Sequence, residues 1–166
     1  MQQAITGVSP PELSEVGIAT AWPSIAVTSL GRWLGRRFEN NTVVGPLHLS
    51  IGRIWVLMSI PLALKLYFFN LLPFRCRRYR LTNRRVIIQK GLAAIDERWT
   101  SLDDFDEIQI IVQPGQAWYR CGDLAFVKGK VESLRLIAVP HPEAFRATCL
   151  KAQRSYTSVK KFAGVK

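Results

Sequence analysis

The chain has 166 residues, with 23 lysines and arginines against 12 acidic residues and a formal net charge of +11. That length suits one small domain with an appendage, and the basic excess implies an anionic partner such as the phosphates of lipid or nucleic acid. Cys76, Cys121 and Cys149 are widely spaced with no CxxC pair, which argues against a disulfide framework and for a reducing compartment.

No cleavable signal is read in Met1 to Glu15, which lacks a basic start and is interrupted by Pro10, Pro11 and Glu12. Residues 1–23 read as a flexible arm, since Ser9-Pro10-Pro11 opposes regular structure. Residues 24–50 read as an amphipathic interfacial helix and a linker. Leu30, Trp33, Leu34 and Phe38 share one helical face, while Arg32 and Arg36 lie on another. Such a helix can lie in a bilayer interface or pack on its own protein, and the pattern fits both. Asn40-Asn41 and Gly45-Pro46 mark the linker.

The most apolar stretch falls in 51–74. Ile54, Trp55, Leu57, Leu64, Phe68, Phe69 and Leu72 are its expected membrane-embedded residues. The run from Ile54 to Phe74 is 21 residues long and matches the ~20 needed to span a bilayer core, with Trp55 near one end and Tyr67, Phe68, Phe69 and Phe74 near the other. Lys65 opposes insertion by roughly 2.5–3.5 kcal/mol, against about 0.3–0.6 kcal/mol gained at each Leu, Ile, Phe or Val. The sum predicts a membrane segment, Pro61 being tolerated in such helices. A full crossing and a re-entrant or interfacial path both remain open. Arg75, Arg77, Arg78 and Arg80 follow at once, and this positive-inside signal places the remainder in the cytoplasm.

Beyond Arg75 the periodicity becomes alternating. Arg78 to Thr82 and Arg85 to Lys90 read as strands around a tight Asn83-Arg84 turn. Further strands are predicted at 96–101, 106–113, 122–127 and 132–139. Pro142 then opens a helix whose Phe145, Cys149, Ala152, Tyr156 and Val159 recur at spacings of three and four. The fold class is mainly β with α, over residues 75–162, leaving 163–166 as a tail.

The stretch Tyr79-Arg80-Leu81-Thr82-Asn83-Arg84-Arg85-Val86-Ile87-Ile88-Gln89-Lys90-Gly91-Leu92 resembles the opening hairpin of the bacterial pleckstrin-homology-like (PH) domains, which are typically found just after transmembrane helices. Ile108 to Phe126 and Leu136 to Phe145 resemble later parts of the same family. The resemblance spans about 74–150. It implies two near-orthogonal antiparallel sheets of six to seven strands with a C-terminal helix, tethered to a bacterial cytoplasmic (inner) membrane with the domain facing the cytoplasm, and it brings no catalytic residues. Members often have two clear spans before the domain, whereas one is clear here.

His48, His141 and the three cysteines form no metal-ligand spacing, and neither GxxxxGK[ST] nor GxGxxG occurs. No enzyme activity, metal or cofactor is expected. The basic cluster of Arg75, Arg77, Arg78, Arg80, Arg84, Arg85 and Lys90 is the candidate lipid-headgroup site. Lipid phosphate is preferred to nucleic acid because the apolar segment adjoins the cluster. Trp99, Trp118 and Tyr119 are candidate partner contacts. The function expected is a membrane-anchored adaptor that meets anionic headgroups and docks a protein partner. The alternative is a lipid-sensing regulatory domain with a specific headgroup site.

Overall fold

The computed structural model describes residues 15–39, 43–44, 49–70 and 76–162, with the side chains of 38, 43–44, 49–56, 70 and 162 outside that description. Three strands of the expected hairpin region come first in the core. β4 (Arg77–Thr82) and β5 (Arg85–Lys90) pair antiparallel across the Asn83-Arg84 turn, and β6 (Ile95–Ser101) pairs with β5. Thr82 closes the turn, its hydroxyl oxygen accepting from the Arg85 N–H at 3.0 Å. Tyr79, Leu81, Val86 and Ile88 point inward at the alternation a half-buried strand requires.

The fourth strand of this sheet is β1 (Gly17–Ala21), in a region expected to be a loose arm. It pairs antiparallel with β4, setting Ala21 against Tyr79. Its GIATA sequence has too little alternation to announce a strand, so its identity comes from its partner. Asn83 supplies the tie, exchanging hydrogen bonds with Val16 through both its backbone N–H and its side-chain oxygen at 3.1 Å.

The second sheet holds β7 (Glu107–Ile111), β8 (Cys121–Lys128) and β9 (Val131–Pro140) in that order, all antiparallel. The Tyr79 hydroxyl joins the sheets, donating to the Ile137 carbonyl at 2.8 Å and accepting from the Ile137 N–H at 3.1 Å. Phe105 and Phe126 meet edge to face at 4.9 Å in the shared core. The closing helix α3 (Pro142–Phe162) lays Phe145, Cys149 and Ala152 on that core, as their spacing predicts. The His141 carbonyl accepts the first helical N–H bonds, so this histidine caps the helix.

Between β1 and β4 the chain makes one long excursion. It carries α1 (Ser29–Glu39), a short ladder of β2 (Val43–Val44) with β3 (Leu49–Ser50), and α2 (Ile51–Asn70). Thr28 starts α1 by accepting from the Gly31 N–H at 3.0 Å. The β2–β3 ladder folds the chain back, so α2 begins where α1 ends and packs along α1 and the short 3-10 turn Ile25–Val27.

Of the two placements open to the amphipathic helix read in 24–50, packing on its own protein is the one seen for α1: Leu34, Gly31 and Gly35 are buried against the domain, while Leu30 and Trp33 remain exposed. The apolar segment expected over 51–74 is helical as α2, but among the described residues no helix is long and apolar enough to cross a membrane. Ser59, Pro61 and Lys65 interrupt its apolar surface. Leu57, Leu64, Phe68 and Phe69 are exposed on it. The side chains of Ile54 and Trp55, and all of Leu72, lie outside the described residues.

Candidate functional site

The strand directions give the domain two unlike ends. At one end lie the β5–β6 turn (91–94), the start of β4, the end of β1, and the loop leading into β8. The Gly91 N–H donates to the Cys76 carbonyl at 2.7 Å, and the Ser24 N–H to the Ala138 carbonyl at 2.9 Å, which places both sheets and both N-terminal helices there. Exposed Trp22, Trp33 and Trp118 cluster at this helical end, as do Leu92 and Ile95. The opposite end is charged. It holds ion pairs of Arg85 with Glu15 (2.8 Å), Lys128 with Asp104 (2.7 Å) and Lys160 with Asp103 (2.9 Å).

This polarity divides the basic cluster. Arg78, Arg80 and Arg85 share the outer face of the first sheet, as alternation predicts. Along the strand, however, the backbones of Arg77, Arg78 and Lys90 stand at the helical end and those of Arg84 and Arg85 at the charged end, although the Arg85 guanidinium reaches back along the sheet to within 3.9 Å of the Asp96 carboxylate. A six-residue strand separates the two groups by roughly 20 Å. Arg75 lies outside the described residues.

Several of these cations are already engaged. Arg77 pairs with Glu97 at 3.1 Å, and the Arg78 guanidinium donates to Gln89 at 2.8 Å. Arg85 grips both Glu15 oxygens at 2.8 Å and lies 5.5 Å from the Trp99 ring centre. That grip holds the Glu15 carboxyl below its usual range and raises the guanidinium. Lys90 is exposed at the strand end and makes no ion pair among the described residues.

The three aromatic candidates part ways. Trp99 is 57% exposed on the outer sheet face, and Trp118 is 45% exposed in the short helix Ala117–Tyr119. Tyr119 is instead used within the chain: it is half-buried, its hydroxyl donates to the Gly31 carbonyl at 3.1 Å, and burial pushes its pKa up to about 12.

The loop carrying Trp118 is held by a group that sequence reading missed. Asp123 is 1% exposed and accepts from Gln113 (2.6 Å), Gln116 (2.7 Å) and the Ala138 N–H (2.9 Å). A lone acid within an apolar strand, seven residues after a glutamine, was the available signal. An open cleft of about 370 Å³ lies beside it, lined by Val112, Arg120, Cys121, His141 and neighbours. Cys121 brings no nucleophile to it, because the sulfur is buried against the Gln116 carbonyl and burial raises its pKa.

Two packed antiparallel sheets closed by a C-terminal helix define a PH-like domain. The model of the family described as "Bacterial PH domain" matches residues 11–153, and the chain belongs to that family. The match begins ahead of β1, in keeping with that strand being part of the domain. No curated protein and no solved structure matches the chain.

Proposed function

We propose that the protein is a PH-like adaptor held at the cytoplasmic face of a bacterial inner membrane, where it meets anionic headgroups and docks a protein partner. The observation that carries this reading is α2. Leu57, Met58, Ile60, Leu64, Tyr67, Phe68 and Phe69 are each more than 40% exposed, with only the narrow Ser59–Leu66 seam buried. An apolar patch of that extent on a soluble surface calls for lipid or protein cover. Lys65 can reach the headgroups along its apolar stem.

The anchor is in-plane. Ala21 and Tyr79 are neighbours in one sheet, so an excursion that crossed the bilayer would have to cross twice. The β2–β3 ladder returns the chain to α1, which is docked on the domain, and among the described residues no second apolar helix is available for a return passage. Lipid contact at one leaflet satisfies both constraints. The engagement of Arg77, Arg78 and Arg85 with Glu97, Gln89 and Glu15 favours a diffuse electrostatic contact over a specific headgroup pocket, which needs unsatisfied donors. Exposed Trp99 offers the partner a rigid aromatic anchor on the face turned away from the core.

Flotation of the full chain with vesicles tests this. The protein is expected to rise with phosphatidylglycerol-containing vesicles and to stay bound in high salt, and Leu64→Glu with Phe68→Glu is expected to release it. A wild-type chain that is monodisperse without detergent and ignores vesicles would falsify the anchor.

A further inference from the structure

We infer that the β5–β6 turn is a second membrane-insertion element, which meets the bilayer beside α2 and sets the tilt of the domain. This rests on the in-plane anchor proposed above. The turn reads Gly91-Leu92-Ala93-Ala94-Ile95, without a polar side chain at a solvent-facing tip where Asn, Asp, Ser and Gly are the usual residues. Leu92 is 74% and Ile95 68% exposed, among the most exposed large aliphatics described. The tip is tightly formed: Gly91 and Ala94 both take positive φ, at 75° and 56°, and the Ala94 N–H donates to the Gly91 carbonyl at 3.2 Å.

Covalent reach makes lipid the occupant. Gly91 is hydrogen-bonded to Cys76, and only residues 71–75 separate Cys76 from the end of α2 at Asn70. A fully extended chain of that length spans about 20 Å, so the tip lies within that reach of the end of α2, where Phe68 and Phe69 are exposed.

The charges around the tip agree. Lys90 is exposed and unpaired among the described residues, and Arg98 is exposed as well. The two nearby acids are engaged, Glu97 by Arg77, and Asp96 by Gln89 and by the Arg85 guanidinium reaching along the sheet at 3.9 Å. The tip therefore offers anionic headgroups a basic collar around an apolar point.

Val131 is the matched control. It is 69% exposed on a hairpin turn at the charged end, where the Asp106 N–H meets the Val127 carbonyl. Single cysteines at Leu92, Val131 and Leu64 in the full chain can each carry a nitroxide, because Cys76, Cys121 and Cys149 are buried. In nanodiscs of phosphatidylglycerol and phosphatidylethanolamine, L92C is expected to resemble L64C: accessible to oxygen and several-fold less accessible than V131C to a water-soluble nickel relaxant. If L92C matches V131C while L64C stays immersed, the second insertion point is wrong and the anchor stands. If L92C is shielded from oxygen and nickel alike, a protein contact covers the tip and the inference is equally wrong. If L64C itself is aqueous, the anchor goes, and this inference with it.

Discussion

Gly35 of α1 and Gly115 of the loop before β8 meet backbone to backbone. A Cβ on Gly35 would overlap the Gly115 carbonyl, and one on Gly115 would overlap the Arg32 carbonyl. This approach, with the Tyr119–Gly31 hydrogen bond beside it, is what docks α1 on the domain and thereby keeps α2 alongside it. Gly35→Ala inserts a methyl where only backbone can give way. Overpacking of this kind costs typically 1–3 kcal/mol, on the order of what urea titration of the variant should read. Hydrogen exchange should quicken in the amides of α1 while those of β8 keep their protection.

Asp123 carries three hydrogen bonds in a dry site, so its removal strands two glutamine amides and the Ala138 N–H. Each orphaned buried donor costs about 1–3 kcal/mol. Asp123→Ala should therefore be among the most destabilising single changes in the chain, and Asp123→Asn should also lose stability because its amide turns a donor toward donors. Chemical denaturation of both variants measures the loss. A near-neutral Asp123→Ala would show that the network is not holding the Trp118 loop.

Alkaline stability follows from Tyr79. Burial lifts its hydroxyl to about 12, and the same holds for Tyr119. In the unfolded chain both ionise near 10. Because the folded values are raised, the stabilisation is complete below pH ~10 and is lost as pH climbs toward 12. Absorbance at 295 nm, compared with that of Tyr79→Phe and Tyr119→Phe, should show these two tyrosines titrating late in the native protein. Titration of either near 10 in the folded state would contradict the burial.

The acid limb runs the other way. Arg85 depresses the Glu15 carboxyl, so the pair stabilises above the unfolded value of about 4.3 and weakens as pH falls through the lower folded one. The pair is partly exposed, which limits its worth to about 1 kcal/mol. Glu15→Gln should reduce stability at neutral pH by up to that amount and flatten the slope of Tm against pH below ~4.3. Raised salt should narrow the gap between the variant and wild type.

Lipid binding should distinguish the two ends of the hairpin. One lysine near an anionic leaflet is worth about 1 kcal/mol, or roughly fivefold in affinity. Lys90→Gln should weaken binding to phosphatidylglycerol vesicles by that factor, whereas Arg84→Gln, at the far end of the strand, should leave it unchanged. Equal losses in vesicle titration would mean that the sheet lies flat on the membrane rather than end-on.

The local elements of this fold are written in the chain at short range. Alternation marks β4 and β5, Asn83-Arg84 marks their turn, and Phe145, Cys149 and Ala152 mark the inner face of α3, because strand and helix periodicity repeat within a few residues. The exposed apolar surface of α2 was legible as composition in the same way. What the tertiary structure alone decided is where distant pieces meet. β1 exists because Asn83 and Tyr79 lie beside it, although the pairing of Ala21 with Tyr79 closes a loop longer than fifty residues. That closure returns the apolar excursion to its origin beside Tyr79, with α2 packed along α1. It also spreads a compact run of arginines over both ends of a sheet, since six residues that are adjacent in sequence extend about 20 Å once they form a strand. Pairing partners and end-to-end position depend on contacts across the whole chain, which no local period encodes.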